Sequence, residues 1–137
     1  MTEILVIEDD PLDRELIAEL LTVRGRGRLR VREAVTFAAA MDHLQQRAVD
    51  LVLLDTRLPD ATALHALRAI GEQAPTTPIL PHTGFLTARA RQMAREQGAF
   101  DVVVRGELNP LWSAVNKLLT LRALHEDDRP LARAVGE

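Results

Sequence analysis

The stretch ILVIEDDPLDR at residues 4–14 joins a short apolar run to three acidic residues and then to the start of a helix. Its first four residues have the length and composition of a buried strand, and Glu8, Asp9 and Asp10 follow directly. Asp10 is a favourable N-cap, and Pro11 suits the first helical position, where its missing N–H leaves no hydrogen bond unmade. The stretch predicts a strand, an acidic turn and a helix.

The rest of the chain repeats this strand and helix pattern four more times. Further apolar or alternating runs of strand length lie at residues 29–34, 51–54, 79–80 and 102–104. The run at residues 29–34 alternates apolar and charged residues, which favours a strand near the sheet edge. Amphipathic segments predict helices at about residues 11–25, 36–47, 61–73, 86–97 and 109–124. Five such units predict an α/β flavodoxin-like fold: a doubly wound five-stranded parallel sheet of order 2-1-3-4-5 with five helices.

Residues that can bind a ligand or react with one lie where four of these strands end. Because the C-terminal ends of parallel strands share one edge, where ligands bind in such sheets, we expect these side chains to meet. Clustered carboxylates raise one another's pKa, so a bound cation best explains their number. An acidic cluster with a hydroxyl and a fixed cation suits a hard divalent metal and a phosphoryl group. The residues concerned are Glu8, Asp9, Asp55, Thr83 and Arg105.

Composition excludes several classes of protein. The net charge is −3, and aromatic residues make up only 3% of the chain, which argues against direct binding of nucleic acid. There are no cysteines, so disulfides and thiol chemistry are absent. No apolar run approaches the roughly 20 residues that span a bilayer, and the N-terminus has no basic segment typical of a signal peptide. We therefore expect a cytoplasmic protein without a membrane partner.

Four segments together resemble the receiver domain of bacterial two-component response regulators. They are ILVIEDDPLDR, DLVLLDTRLPD, PILPHTG and GAFDVVVRG. The resemblance rests on their order, spacing and position at strand ends, and it covers about residues 3–122. It implies a receiver domain at residues 1–124, followed by a tail or the start of a linker at residues 125–137. It also implies a signalling switch that acts on a protein surface, with an unknown downstream effector and a possible homodimer.

The resemblance assigns roles to the residues at the strand ends. Asp55 corresponds to the residue that accepts a phosphoryl group from a sensor histidine kinase or a phosphotransfer protein. Glu8 and Asp9 would hold Mg²⁺ together with Asp55 and the backbone carbonyl of Arg57. Thr83 corresponds to the hydroxyl that binds the phosphoryl group. Such a domain phosphorylates itself and loses the phosphate slowly, so it is not expected to be a turnover enzyme.

The sequence departs from the family's pattern at four positions. Arg105 and Gly106 replace the usual Lys and Pro after strand five, Val102 replaces an aromatic residue, and Ala63 replaces a glycine. Arginine keeps the charge of lysine but is planar and fork-shaped. Arg105 therefore has two possible roles: it binds phosphate, or it permanently neutralises Asp55. The second role would favour an alternative function, a phosphorylation-independent interaction module.

Two enzyme classes of related fold fit poorly. A phosphatase with an aspartate nucleophile would place two aspartates, spaced as DxD, after its first strand. A flavin carrier would need a Ser, Thr and Gly-rich loop where this chain has EDDPLD. His82 is interpreted as a structural or solvated histidine, and the arginines at residues 24–32 as a solvated patch that protects a sheet edge. The 13 residues at 125–137 are too few for a DNA-binding module, and whether the receiver stands alone is left open.

Overall fold

The computed structural model describes residues 1–127. Five parallel strands form one sheet of order β2-β1-β3-β4-β5, which confirms the predicted flavodoxin-like topology. The strands are β1 (Thr2–Ile7), β2 (Leu29–Ala34), β3 (Leu51–Asp55), β4 (Ile79–Thr83) and β5 (Val103–Val104). The helices are α1 (Pro11–Gly25), α2 (Phe37–Gln46), α3 (Ala63–Gln73), α4 (Ala88–Glu96) and α5 (Leu108–Asp127). β2 is an edge strand, as its alternating pattern predicted.

The sheet separates two apolar layers, because successive side chains of a strand point to opposite faces. Leu5 and Ile7 of β1 pack with residues of α2 and α3, whereas Ile4 and Val6 pack with residues of α1 and α5. The residues of α1 and α5 that close this second layer are Ile17, Leu21, Leu111, Val115 and Leu118. All five residues of β3 are buried, as expected of a central parallel strand covered on both faces.

Side-chain caps set the beginnings of four helices. Asp10 accepts hydrogen bonds from the backbone N–H groups of Leu12 and Asp13, and it caps α1 as predicted. Thr36 caps α2 by accepting a hydrogen bond from the backbone N–H of Ala39. Thr62 and Thr87 cap α3 and α4 in the same way. Both helices therefore begin two residues later than the sequence pattern predicted, because each threonine takes the non-helical N-cap conformation.

The fifth helix begins earlier and ends later than predicted. It starts at Leu108, so Asn109 and Pro110 lie in its first turn and do not form a cap followed by proline. It continues to Asp127, three residues past the predicted end near residue 124. The division into a domain at residues 1–124 and a tail stays a prediction, and residues 128–137 lie outside the described residues. Within residues 1–127 no helix is long and apolar enough to cross a membrane.

Three leucines that share the helical spacing of the buried residues of α1 and α3 lie on the surface. Leu12 and Leu16 of α1 are 65% and 41% exposed, and Leu64 of α3 is 44% exposed. All three belong to the first two turns of their helices, near the edge of the sheet where the strands end. Periodicity identifies the apolar stripe of a helix, but it does not show how far the stripe extends beyond the sheet.

Pro81 lies in the middle of β4, although a proline cannot donate a ladder hydrogen bond. The carbonyls of Ile79 and Thr83, on either side of it, accept hydrogen bonds from Phe100 and Arg105 on the β5 side. By the same alternation the nitrogen of Pro81 faces that side, where β5 pairs with β4 only from His82 onward. Pro81 therefore leaves β4 with five residues, and the short strand is its neighbour β5, which has only two residues.

Helix α4 differs from the other helices in its packing. Its sequence is ARARQMARE, and none of its side chains is buried. Only Ala94 is half-buried, where it packs against the layer beneath α2 and α3. Its other contacts include the N-cap of Thr87 and the exposed ion pairs of Arg91 and Arg95 with Asp101.

Candidate functional site

Four polar side chains continue the apolar layer that faces α1 and α5. This layer contains one residue from the end of each of four strands: Val6, Leu53, Leu80 and Val103. Two residues further on, where the side chain points to the same face, stand Glu8, Asp55, His82 and Arg105. The Cα atoms of Asp55 and His82 are partners in the β3–β4 register. Strand alternation thus places these four groups in one row at the C-terminal edge of the sheet.

The three predicted metal ligands lie together in this row. Glu8, Asp9 and Asp55 each offer a carboxylate oxygen, and these oxygens lie within 4.8 Å of one another. Glu8 is 0% exposed and Asp55 is 1% exposed. The Oδ2 atom of Asp55 is buried without a hydrogen-bond partner in the described part of the chain. A buried carboxylate oxygen without a donor is unfavourable, so this set of hard oxygen ligands fits a cation such as Mg²⁺.

The two buried carboxyl groups have opposite pKa shifts. Burial, followed by the contact with Asp55, raises the pKa of Glu8 from 4.5 to about 8. Burial also acts to raise the pKa of Asp55, but the interactions with Glu8, with the Arg57 backbone N–H and with other neighbours outweigh it and lower the pKa to about 2. These shifts favour a proton on Glu8 and an ionised Asp55 at neutral pH when no cation is bound.

Arg105 contacts three carboxyl groups. One guanidinium nitrogen, Nη2, contacts Asp55 Oδ1. The other, Nη1, lies 3.0 Å from Glu8 Oε1 and 3.3 Å from Asp13 Oδ2 on α1. A planar guanidinium can bridge acceptors in this way, whereas a lysine ammonium offers a single point charge. Arg105 forms an ion pair with Asp55 in this structure, and its contact with a phosphoryl group stays a prediction.

The remaining predicted site residues contact the cluster to different degrees. The backbone N–H of Arg57 donates to Asp55 Oδ1 over 2.9 Å, which fixes the carboxylate from the turn after β3. The predicted role of the Arg57 carbonyl as a metal ligand stays a prediction. The hydroxyl of Thr83 donates to the carbonyl of Phe85 over 3.3 Å. Thr83 also lines an apolar pocket between α3 and α4, so its contact with a phosphoryl group stays a prediction.

Comparisons of the sequence with known proteins identify the family. The sequence profile of the response regulator receiver domain matches residues 4–115. The chain belongs to the response regulator receiver family. Response regulator protein PilR of Pseudomonas aeruginosa is 32% identical over 135 residues, which cover 97% of this chain and 30% of that protein. Transcriptional regulatory protein TorR of Escherichia coli K12 is 32% identical over 117 residues, which cover 85% of this chain and 49% of that protein.

Solved structures show the same relationship. The BeF3-activated receiver domain of DrrB has a TM-score of 0.75 and 26% identity, and the match covers 88% of this chain and 98% of that chain. NtrX of Brucella abortus has a TM-score of 0.79 and 26% identity, with 91% of this chain and 29% of that chain covered. This receiver domain spans less than half the length of the two curated relatives.

The departures of this receiver domain from its family concentrate on the β5 side of the site. Gly106 has φ of +84°, a left-handed conformation that proline cannot adopt. Val102 lines the apolar pocket between α3 and α4, at the position where the family usually has an aromatic ring. Arg105 bridges carboxylates of β1, β3 and α1.

Two residues of the site were not predicted from the sequence. Asp13 was overlooked, although it lies one helical turn after the N-cap Asp10 and therefore above the same edge of the sheet. His82 was interpreted as a structural or solvated histidine, but it is 2% exposed and lies in the row of Glu8 and Asp55. The sequence signal was the spacing of two residues between Leu80 and His82, which places both on the same face of β4.

Proposed function

We propose that Asp55 accepts a phosphoryl group from a phosphohistidine of a sensor histidine kinase or a phosphotransfer protein. The observation that carries this proposal is the environment of Asp55: its pKa is lowered, the Arg57 backbone N–H holds Oδ1, and Oδ2 has no hydrogen-bond partner among residues 1–127. A carboxylate in this state is a nucleophile positioned at the ligand-binding edge of the sheet.

In this reaction an oxygen of Asp55 attacks the phosphorus atom. The new O–P bond forms as the P–N bond to the donor histidine breaks, and the imidazole leaves with the bonding electrons. The low pKa of Asp55, about 2, keeps the attacking group ionised at neutral pH. Catalysis by the chain then consists of positioning and of stabilising charge, as is usual in phosphoryl transfer.

Glu8, Asp9 and Asp55 would hold Mg²⁺, with the Arg57 carbonyl as a further ligand. Mg²⁺ takes oxygen ligands, usually one or two of them carboxylates, and keeps several waters, so this cluster offers more acidic oxygens than the ion needs to bind directly. When bound, the metal would neutralise negative charge on the phosphoryl oxygens. Its entry requires Glu8 to lose its proton and Arg105 to release the shared oxygens.

The phosphoryl group also supplies new partners for two residues of the chain. Arg105 would exchange Asp55 for phosphoryl oxygens, and Thr83 would exchange the carbonyl of Phe85 for the same group. Because Thr83 ends β4 and α4 follows closely, this exchange would shift the surface formed by α4, β5 and α5. That surface would contact a downstream effector or a second copy of the domain in the cytoplasm.

Phosphorylation itself tests the proposal. The protein would be incubated with Mg²⁺ and acetyl phosphate and weighed intact by mass spectrometry beside the Asp55→Asn variant. The Asp42→Asn variant, which changes an exposed aspartate on α2, is the matched control. We expect one labile phosphoryl adduct in the wild type and the control, dependent on Mg²⁺ and missing in Asp55→Asn.

A different outcome would favour the alternative function. If no adduct forms, and if beryllofluoride does not bind either, the ion pair between Arg105 and Asp55 is permanent. The chain would then be a phosphorylation-independent interaction module, and partner binding would be insensitive to Asp55→Asn.

A further inference from the structure

His82 is the one member of the row at the sheet edge to which the proposed reaction assigns no role. Its imidazole is 2% exposed, and its backbone pairs with Asp55 at the C-terminal end of β3 and with Val103 at the start of β5. The Nδ1 atom lies 3.7 Å from Glu8 Oε1. The cation-capable cluster among the described residues consists of Glu8, Asp9 and Asp55 and does not include His82. The histidine therefore borders this cluster without belonging to it.

The hydrogen bonding of this buried ring is incomplete. Nε2 is buried and has no partner among residues 1–127. The separation of 3.7 Å between Nδ1 and Glu8 Oε1 is too long for a hydrogen bond. A buried polar group without partners is unfavourable, and such groups in native proteins call for an explanation. A small movement of Glu8 toward the ring, of under about 1 Å, would complete a hydrogen bond from Nδ1–H to Oε1 and would leave Nε2 as the unprotonated ring nitrogen.

Arg105 explains why this bond is not made in the present state. Its Nη1 atom donates to the same oxygen, Glu8 Oε1, over 3.0 Å and so competes with the imidazole for that oxygen. The other oxygen, Oε2, accepts from the backbone N–H of Asp10 over 3.1 Å. The position of Glu8 is thus a balance between one backbone donor, one guanidinium and the nearby imidazole.

We propose that His82 is a positioning residue for Glu8, donating from Nδ1–H to Oε1 when a cation occupies the carboxylate cluster and Arg105 withdraws. A neutral imidazole carries its proton on one nitrogen, and the nitrogen that faces a carboxylate oxygen is the one favoured to carry it. Partners that orient a metal ligand in this way commonly change metal affinity 10–100-fold when they are removed. The proposal rests on the proposed function, in which Glu8 is a ligand of Mg²⁺.

Two substitutions at this position separate hydrogen bonding from packing. His82→Asn places an amide N–H near the position of Nδ1, whereas His82→Leu fills similar space without a donor. The dissociation constant for Mg²⁺ would be measured by isothermal titration calorimetry, and the fold of each variant would be checked by circular dichroism. We expect binding to be about tenfold weaker in His82→Leu, and the asparagine variant to stay within about threefold of the wild type.

A second measurement uses the unaltered protein, so it does not depend on the folding of a variant. In protein with ¹⁵N-labelled histidine, Mg²⁺ should move the NMR signal of His82 Nδ1–H downfield and slow its exchange with water, as a new hydrogen bond requires. Equal Mg²⁺ affinities for wild type and His82→Leu, or an unchanged Nδ1–H signal on saturation with Mg²⁺, would refute the role of His82 and leave the metal site intact. Failure of the wild type to bind Mg²⁺, or equal binding after Glu8→Gln, would instead refute the metal site and the role of His82 together.

Discussion

The pH dependence of stability can be worked out from two buried groups of the site. The pKa of Glu8 is raised from 4.5 to about 8, chiefly by burial. The pKa of His82 is lowered from 6.5 to about 4, again chiefly by burial. Each group therefore binds a proton with different affinity in the folded and unfolded chains, and each makes the free energy of unfolding depend on pH.

The two groups act in opposite directions. Between pH 4.5 and 8 the folded protein keeps a proton on Glu8 that the unfolded chain has released, so stability falls as the pH rises. Between pH 4 and 6.5 the unfolded chain keeps a proton on His82 that the folded protein lacks, so stability rises with pH. The two slopes cancel from pH 4.5 to 6.5. Asp55, with its pKa lowered to about 2 from 3.8, contributes only below this range.

From pH 6.5 to 8 the effect of Glu8 is no longer opposed. At about 1.4 kcal/mol for each pH unit, the free energy of unfolding should fall by about 2 kcal/mol over this interval. We expect Glu8→Gln to remove this fall, because glutamine does not titrate. The same variant should also reveal the contribution of His82, as a rise of nearly 3 kcal/mol between pH 4.5 and 6.5.

Urea denaturation followed by circular dichroism, in EDTA and at a series of pH values, measures these changes directly. Glu15→Gln, which changes an exposed carboxylate on α1, serves as the control and should behave as the wild type. A wild-type stability that stays constant from pH 6.5 to 8, or a fall that persists in Glu8→Gln, would refute the assignment of the buried proton to Glu8.

Three further predictions concern the core, a helix end and the metal site. Leu53→Ala should lower the free energy of unfolding by about 2–5 kcal/mol in urea denaturation, because Leu53 is 0% exposed in the central strand; a loss under about 1 kcal/mol would contradict the packing of β3. Arg26→Gly should raise the denaturation midpoint by the equivalent of about 1 kcal/mol, because Arg26 has φ of +50° after α1; Arg24→Gly, inside the helix, should lower it instead. Binding of Mg²⁺ at pH 7 should release close to one proton from Glu8. Calorimetry in buffers of different ionisation enthalpy measures this release. A heat of binding that is independent of the buffer would contradict a protonated Glu8.

The strand pattern carried most of the information about this fold. Apolar runs such as residues 51–54 identified the buried strands, and the residues after them identified the acidic cluster at the sheet edge. The structure agrees with this prediction because the alternation of side chains that builds the core also orients the residues that follow it. Glu8 lies on the same face as Val6, and Asp55 lies on the same face as Leu53.

The features that the sequence did not predict depend mainly on contacts between distant parts of the chain and on where helices begin and end. The contact of Arg105 with Asp13 joins residues 92 positions apart, and no local pattern encodes it. The exposure of Leu12 and Leu16 depends on how far α1 extends past the sheet, which helical periodicity does not specify. The starts of α3 and α4 were predictable in principle from their threonine caps, but apolar spacing alone placed them too early.

The poor packing of α4 has a consequence for local unfolding. A helix that buries no side chain adds little apolar burial to the free energy of the native state, so its separation from the sheet should require only a small part of the global unfolding free energy. Amide hydrogens of α4 should then exchange with solvent through openings that leave β1 and β3 intact. A few hydrogen bonds gained or lost at Thr83, just before this helix, are comparable in free energy to such an opening. An opening of low free energy is therefore located directly beside the acidic site.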